Sequence, residues 1–441
     1  MVARARVGPA GWSAGVDELL DRIADRLGRV ECRRRVRELL LALLADLPRK
    51  NCWTLAEHAG DATPDGMQHL LARAVWDTDG VREDLRDYVI EHLGDSAAVL
   101  VIDETGDVKK GRHTVGVQRQ YTGTAGRIEN SQVAVYLTYA GRRGHALIDR
   151  ELYLPQSWTD DPARCAAAGV PADVAFATKP TLARAMLIRA LDAGVPAAWA
   201  TGDEVYGADP DLRAALEGRR VGYVLAIAGN RRLPTAAGLV RADALAAALP
   251  RRAWQRLSAG PGAKGQRYYD WAWLDLPAPN PASSGTDGSG PGCWWLLIRR
   301  SRRTGELAFY RCYHPIPVRL AVLVAVAGRR WTVEENFQGG KGLAGLDEHQ
   351  VRRWLPWRRW TLLAMLAHAL LVVLAAREHA AGPPPVGLIP LTCNELRRLL
   401  VRLVLEPARR PADPEAWSRW RRRHQCRARA SHYRRQAAGR S

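Results

Sequence analysis

The chain of 441 residues carries 65 Lys and Arg against 46 Asp and Glu, a formal net charge of +19. That length suffices for two to three domains with a large core, and the composition excludes a fibrous or disordered chain. So basic a balance points to a polyanionic partner, although a coding bias toward Arg, Ala and Gly gives the same excess.

Residues 1–95 read as helical. VDELLDRIADRLGRVECRRRVRELLLALLADL has apolar residues at three- and four-residue spacing, and TLAEHAGDATPDGMQHLLARAV folds about a turn near Gly60 to Pro64. Two short helices around such a turn make either a plain hairpin or a DNA-reading helix-turn-helix. AAVLVI then predicts a buried strand closing on Asp103. SQVAVYLTYA and HALIDRELYL predict two more, joined by a turn at Gly141-Arg142-Arg143-Gly144. A helix from Pro180 to Ala193 follows, introduced by Thr178. AAWAT is a strand running into Gly202-Asp203, PDLRAALEG a short helix, and GYVLAIAG a further strand. This order predicts an α/β fold with a mixed sheet and flanking helices, as in ribonuclease H.

Residues 231–328 read as a β-rich insertion, with RYYDWAWLDL and CWWLLIRR as strands and PAPNPASSGTDGSGPG as a flexible loop. Residues 329–404 return to helix, and 405–441 form a basic tail containing RWRRRHQCRARASHYRRQ. The expected division is thus a helical domain at 1–95, a catalytic domain at 96–404 interrupted at 231–328, and a tail. TLLAMLAHALLVVLAA, residues 361–376, is short for a membrane span, contains His368, and reads as a core helix. The seven cysteines are scattered without a C-x-x-C pair, which argues against a disulfide framework or structural zinc. The first residues lack a secretory apolar run. A soluble, intracellular protein away from membranes is expected.

Two aspartates at strand ends are candidates for chemistry, although strand-end aspartates also serve as caps or sit in solvated turns. If their strands are neighbours, Asp103 and Asp203 converge at one end of the sheet, and converging carboxylates need a counter-cation. Oxygen-only ligands select hard ions, Mg²⁺ or Mn²⁺. Around Glu334 the sequence reads GRRWTVEENFQGGKGLAGLDEHQVRRW. On a helix, Arg330 and Lys341 lie within roughly 40° of the Glu334 face. One stripe then presents an acid between two cations, suited to metal and phosphate; a surface helix with ordinary salt bridges is the alternative. Val333 and Phe337 would pack against the core. Glu335, Glu104 and Glu204 rank lower, since Glu335 points about 100° away on a helix and the other two to the opposite sheet face. Lys109 and Lys110 either meet phosphate or sit in a solvated turn. Arg352 and Arg353, among Trp354, Trp357 and Trp360, either contact DNA or flank a core cluster. Arg421, Arg422 and Arg423 of the tail are candidate phosphate contacts.

Arg330, three residues, Glu334, six residues and Lys341 resemble the Tyr-Arg-Glu-Lys signature of bacterial insertion-sequence transposases of the DDE superfamily. The signature's tyrosine is replaced by Ala327. The resemblance extends to RKNCWTLAEHAGDATPDGMQHLL, VLVIDETGDVKKG, VGVQRQYTGTAGRIENSQVAVYL, LYLPQSWTDDPARC, ATGDEVYG and HQCRARASHYRR. It implies a ribonuclease-H-like catalytic domain with a β-insertion ahead of the glutamate. It also implies Asp103, Asp203 and Glu334 as ligands of two Mg²⁺ or Mn²⁺ ions, double-stranded DNA as partner, and a homodimer on that DNA. The implied activity is hydrolysis at element ends followed by strand transfer. The rival readings are a non-catalytic DNA-binding derivative, a stand-alone nuclease and an RNA-binding protein.

Overall fold

The computed structural model describes residues 8–262, 265–278, 292–384, 386, 388–406 and 413–438. It divides into two compact units, residues 86–338 and residues 1–85 with 339–441. The first unit holds the sheet and the second is helical. Residues 339–404, expected with the catalytic domain, therefore group with the N-terminal helices.

Twelve strands are present among the described residues: β1 (Val99–Val108), β2 (Gln118–Thr122), β3 (Arg127–Ala140), β4 (His145–Leu152), β5 (Trp199–Gly202), β6 (Gly222–Ile227), β7 (Arg232–Thr235), β8 (Gly238–Arg241), β9 (Gln255–Gly262), β10 (Gly265–Leu276), β11 (Cys293–Arg300) and β12 (Leu307–His314). Ten form one sheet in the order β2-β3-β1-β5-β6-β12-β11-β10-β9, with β4 also on β3. β1 runs antiparallel to β3 and parallel to β5, which is parallel to β6. The series β4-β3-β1-β5-β6, an antiparallel meander followed by parallel strands, is the ribonuclease-H-like topology.

Four features depart from the sequence reading. β2 was not expected; only its last residue is buried, so it lacks a continuous apolar signal. β1 does not end at Asp103 but runs five residues further along β3. Within the insertion only β7 and β8 pair apart, with each other; β12 pairs antiparallel with β6 and carries β11, β10 and β9 outward in the main sheet. Helix also resumes earlier than expected, at Leu320–Arg329. Residues 279–291 of the expected flexible loop lie outside the described residues.

Local chemistry explains the elements that frame the site. Val99, Leu100, Val101 and Ile102 are all buried, so this central strand is apolar on both faces. The helix Lys179–Asp192 starts where the Thr178 side chain accepts from the Thr181 amide, with a proline in its first turn. It packs on β3 and β4, where Arg189 reaches Asp149 at 2.7 Å and Glu151 at 2.8 Å.

In the helical unit the longest element is Trp354–Ala381, 28 residues, long and apolar enough to cross a membrane. It is almost wholly buried and packs against helices Val30–Leu44, Asp65–Ala72 and Cys393–Leu400, as a core helix does. Trp357 and Trp360 are buried with it, so they pack and do not stack on a ligand.

Candidate active site

The two aspartates stand at matching positions on neighbouring strands. β1 and β5 are parallel, and their last paired residues are Ile102 and Gly202. Asp103 and Asp203 are therefore the next residue on each strand. β1 continues past this point with β3, while β5 leaves the sheet, so the β5 side of Asp103 opens here. Asp203 caps the helix Glu204–Gly207, its Oδ1 accepting from the Val205 amide at 2.9 Å. That helix lies so close to β6 that a Cβ at Gly207 would collide with the Ala226 carbonyl oxygen, and only glycine permits the approach.

Asp103 is buried, and Arg330 Nη2 lies 3.3 Å from its Oδ2. Burial pushes the Asp103 carboxyl up to about 7; Arg330 opposes this, and Asp203 and Glu104 add to it. Asp203 is raised by burial and then by Glu104. Glu104 points to the opposite sheet face, as alternation requires, where its Oε1 meets Lys179 Nζ at 2.6 Å. The Tyr206 hydroxyl donates to its other oxygen, and burial, then Glu104, pushes that phenol well above its ordinary range. Asp103 and Asp203, two carboxylates that feel each other in poorly solvated surroundings, suit a hard divalent cation.

Glu334 lies on the helix Trp331–Ala344, on the sheet face that Asp103 shares. Tyr136 is directly opposite Asp103 in β3, and the Phe337 ring packs edge-on against it at 5.5 Å between centroids. Two residues along β3, Thr138 Oγ1 accepts from Asn336 Nδ2 at 3.1 Å. Asn336 is wholly buried, and its Oδ1 faces His145 Nδ1 at 2.9 Å, while His145 Nε2 is 3.2 Å from Glu335. With its NH₂ on Thr138, the amide oxygen is left to accept from the imidazole. The His145 hydrogen bond holds Glu335 below the usual carboxylate range. Asn336, His145, Thr138 and Phe337 thus clamp the helix to the sheet one turn beyond Arg330. Glu334 itself is exposed, and Arg330 stands just before its helix, as the cap residue of the helix Leu320–Arg329. The clamp was not read from the sequence; an Asn after two glutamates carries no signal until His145 is folded against it.

The remaining candidates separate. Lys109 Nζ is 3.9 Å from Asp107, whereas Lys110 is exposed. Glu204 is exposed beside Asp203. Lys341 shares the Glu334 helix and is half-buried. Arg352 and Arg353 are exposed, and in the helical unit they line a cavity of about 320 Å³ with Trp53, Gln68 and Trp360. The basic tail needs correcting. Residues 414–438 form the helix Pro414–Ala438, whose Trp417 is buried and donates from Nε1 to the Asp61 carbonyl at 2.6 Å. Trp420 packs edge-on against Trp53 at 4.8 Å between centroids. Arg421 pairs with Glu57 at 2.7 Å, leaving Arg422 and Arg423 exposed. A run that composition made look like a solvated arm is anchored by its tryptophans.

A ribonuclease-H-like sheet with paired aspartates where its parallel strands part belongs to the class of metal-dependent nucleic-acid enzymes. A family model described as DDE superfamily endonuclease matches residues 22–263, more than half of the chain, and the chain belongs to that family. Asp103 and Asp203 fall inside the match and Glu334 beyond it. Membership implies a divalent metal cofactor, which the carboxylates fit. The chain is 28% identical over 195 residues to a protein of Microchaete diplosiphon described as "Probable transposase for insertion sequence element IS701". The match covers 44% of this chain and about half, 48%, of the relative. A solved structure, the piggyBac transposase synaptic complex with hairpin DNA, aligns over 94% of this chain and 85% of that chain at 12% identity and a TM-score of 0.42.

Proposed function

We propose that this protein is a cut-and-paste DNA transposase that hydrolyses a phosphodiester at each element end and joins the freed 3′-hydroxyl to target DNA. The observation that carries the reading is the matched position of Asp103 and Asp203 on neighbouring parallel strands, with Arg330, which stands immediately before the Glu334 helix, on Asp103. Family membership and the similarity to an insertion-sequence transposase support it.

Asp103, Asp203 and Glu334 would hold two Mg²⁺ ions, with Mn²⁺ an acceptable substitute. When bound, such ions supply an activated oxygen nucleophile and stabilise the leaving oxygen. The chain does the rest. Burial keeps Asp103 and Asp203 poorly hydrated, Arg330 neutralises part of their charge, and the Asn336 clamp sets the rotation of the Glu334 helix. Lys109, Lys110, Arg330 and Lys341 would meet phosphates near the scissile bond. Arg352, Arg353, Arg422 and Arg423 would hold DNA further away, and the helices of residues 1–95 would recognise element ends. Arg421, paired with Glu57, is the weakest member of the set. The assembly proposed is a homodimer on double-stranded DNA in the bacterial cytoplasm.

The test uses linear DNA carrying the sequences that flank this chain's gene, with Mg²⁺, Mn²⁺ or chelator. Expected are cleavage at a terminal repeat and joined products with target plasmid, both requiring metal. Asp203→Asn should abolish both while DNA binding persists. Cleavage without joining would point to a stand-alone nuclease. Binding without cleavage under every metal condition would point to a DNA-binding derivative.

A further inference from the structure

We propose that the β2–β3 hairpin is a DNA-binding element that carries the duplex past the catalytic face, and this rests on the DNA reading above. Tyr121 of β2 and Ile128 of β3 are directly opposite each other, yet their exposures are 64% and 58%. A paired aromatic and aliphatic residue on a hairpin normally lies against a core, and proteins avoid leaving such a pair uncovered near a sheet edge.

The register shows which face the pair occupies. β3 pairs with β1 without interruption from Ser131 to Ala140, so its alternation carries through to the hairpin. Tyr136, opposite Asp103, lies on the face of the Glu334 helix. Ile128 is eight residues along β3 from Tyr136 and so points to that face, and Tyr121 and Arg119 point with it. Thr122 points the other way and packs against Gly106 of β1, where any Cβ would collide with its hydroxyl. The hairpin is therefore mounted firmly on the strand that carries Asp103.

The charge around the pair selects a polyanion over an apolar protein surface. Arg119 is exposed next to Tyr121 on the same face, and Lys110 and Arg112 are exposed in the loop that leads into β2. Eight strand residues span ~26 Å, the rise of about eight base pairs of duplex. A duplex with its scissile phosphate at Asp103 and running along β3 would meet Arg119 through phosphate. Tyr121 and Ile128 would contact sugars or a groove, as apolar side chains do in minor-groove binders. The hairpin would thus set how much flanking duplex the enzyme requires, a role apart from the carboxylate chemistry.

The experiment places the photo-crosslinker p-benzoylphenylalanine at Tyr121 in the full chain and irradiates it with a labelled 40-base-pair duplex. The same probe at Leu239, exposed on β8, is the control. Crosslinking to DNA from position 121 and not from 239 is expected. The double variant Tyr121→Ser/Ile128→Ser should bind the 40-base-pair duplex about tenfold more weakly, and a duplex ending about five base pairs beyond the scissile phosphate on the β3 side as the parent does. Crosslinking from position 121 only to a second copy of the chain would make the patch a protein interface and overturn the proposal. So would a double variant that binds both duplexes like the parent. A parent chain that bound no duplex would instead remove the DNA reading itself, which separates the two failures.

Discussion

The two aspartates and the glutamate proposed as the metal-binding set are held by different kinds of force. Asp103 and Asp203 are placed by main-chain hydrogen bonds, since the β1–β5 ladder aligns the strands wherever apolar residues bury them. Glu334 is placed by side chains, because its helix is turned toward the sheet by Asn336 on Thr138 and His145, Phe337 on Tyr136 and Arg330 on Asp103. A backbone-held side chain tolerates changes around it and fails when it is itself replaced. A clamp-held side chain can be displaced by a residue that never touches the substrate.

The largest effect should come from the backbone-held pair. Asp103→Asn or Asp203→Asn keeps the shape and removes a charge, so cleavage should fall by about 10³-fold or more, roughly 4 kcal/mol of lost transition-state stabilisation. Thermal unfolding of the metal-free variants should show no comparable loss of stability. A variant that cleaved at the parent rate in Mg²⁺ would remove that aspartate from the site.

Next comes the clamp. Asn336→Ala strands buried Thr138 and half-buried His145, so about 1–3 kcal/mol of stability should be lost. Activity should fall ~10- to 100-fold, as when groups supporting a metal ligand are removed, and the Mg²⁺ concentration for half-maximal rate should rise. Unchanged metal dependence in a folded Asn336→Ala protein would mean that Glu334 needs no clamp, and the contrast between the two regions would collapse.

A smaller effect appears in the pH dependence of the metal-free protein. Asp103 titrates at about 7 when folded, chiefly because it is buried, and at ~3.9 when unfolded. Between these values the folded chain retains a proton that the unfolded chain has released, so stability falls as pH rises from about 4 to about 7. A divalent ion binds the deprotonated form, so the Tm gain on adding Mg²⁺ should be larger at pH 8 than at pH 5. Asp103→Asn should flatten both trends, and an unaltered slope in that variant would assign the titration elsewhere.

The smallest effect separates anchor from clamp in the C-terminal helix. Arg422→Ala and Arg423→Ala, at exposed positions, should each lower the salt slope of DNA binding by about one without changing Tm. Trp417→Ala should instead lower Tm, because it empties a buried site. Equal salt slopes for the parent and both arginine variants would remove the helix from the DNA contacts.

What the sequence by itself determined was local and periodic. Apolar runs ending near Asp103 and Asp203 marked central strands, Thr178 marked a helix start, and the segment around Glu334 and Lys341 was placed on a helix. Such features survive because burial on both strand faces and a helix repeat of ~3.6 residues act over a few neighbouring residues. Only the tertiary structure decided that β12 continues the sheet from β6, that the basic C-terminal run docks through Trp417 and Trp420, and that His145 reaches Glu335 and Asn336 across 190 or so residues of chain. Strand pairing and side-chain clamps are non-local. Their partners are chosen by which surfaces remain to be covered once the local elements have formed, and no short window of sequence contains both halves of the contact.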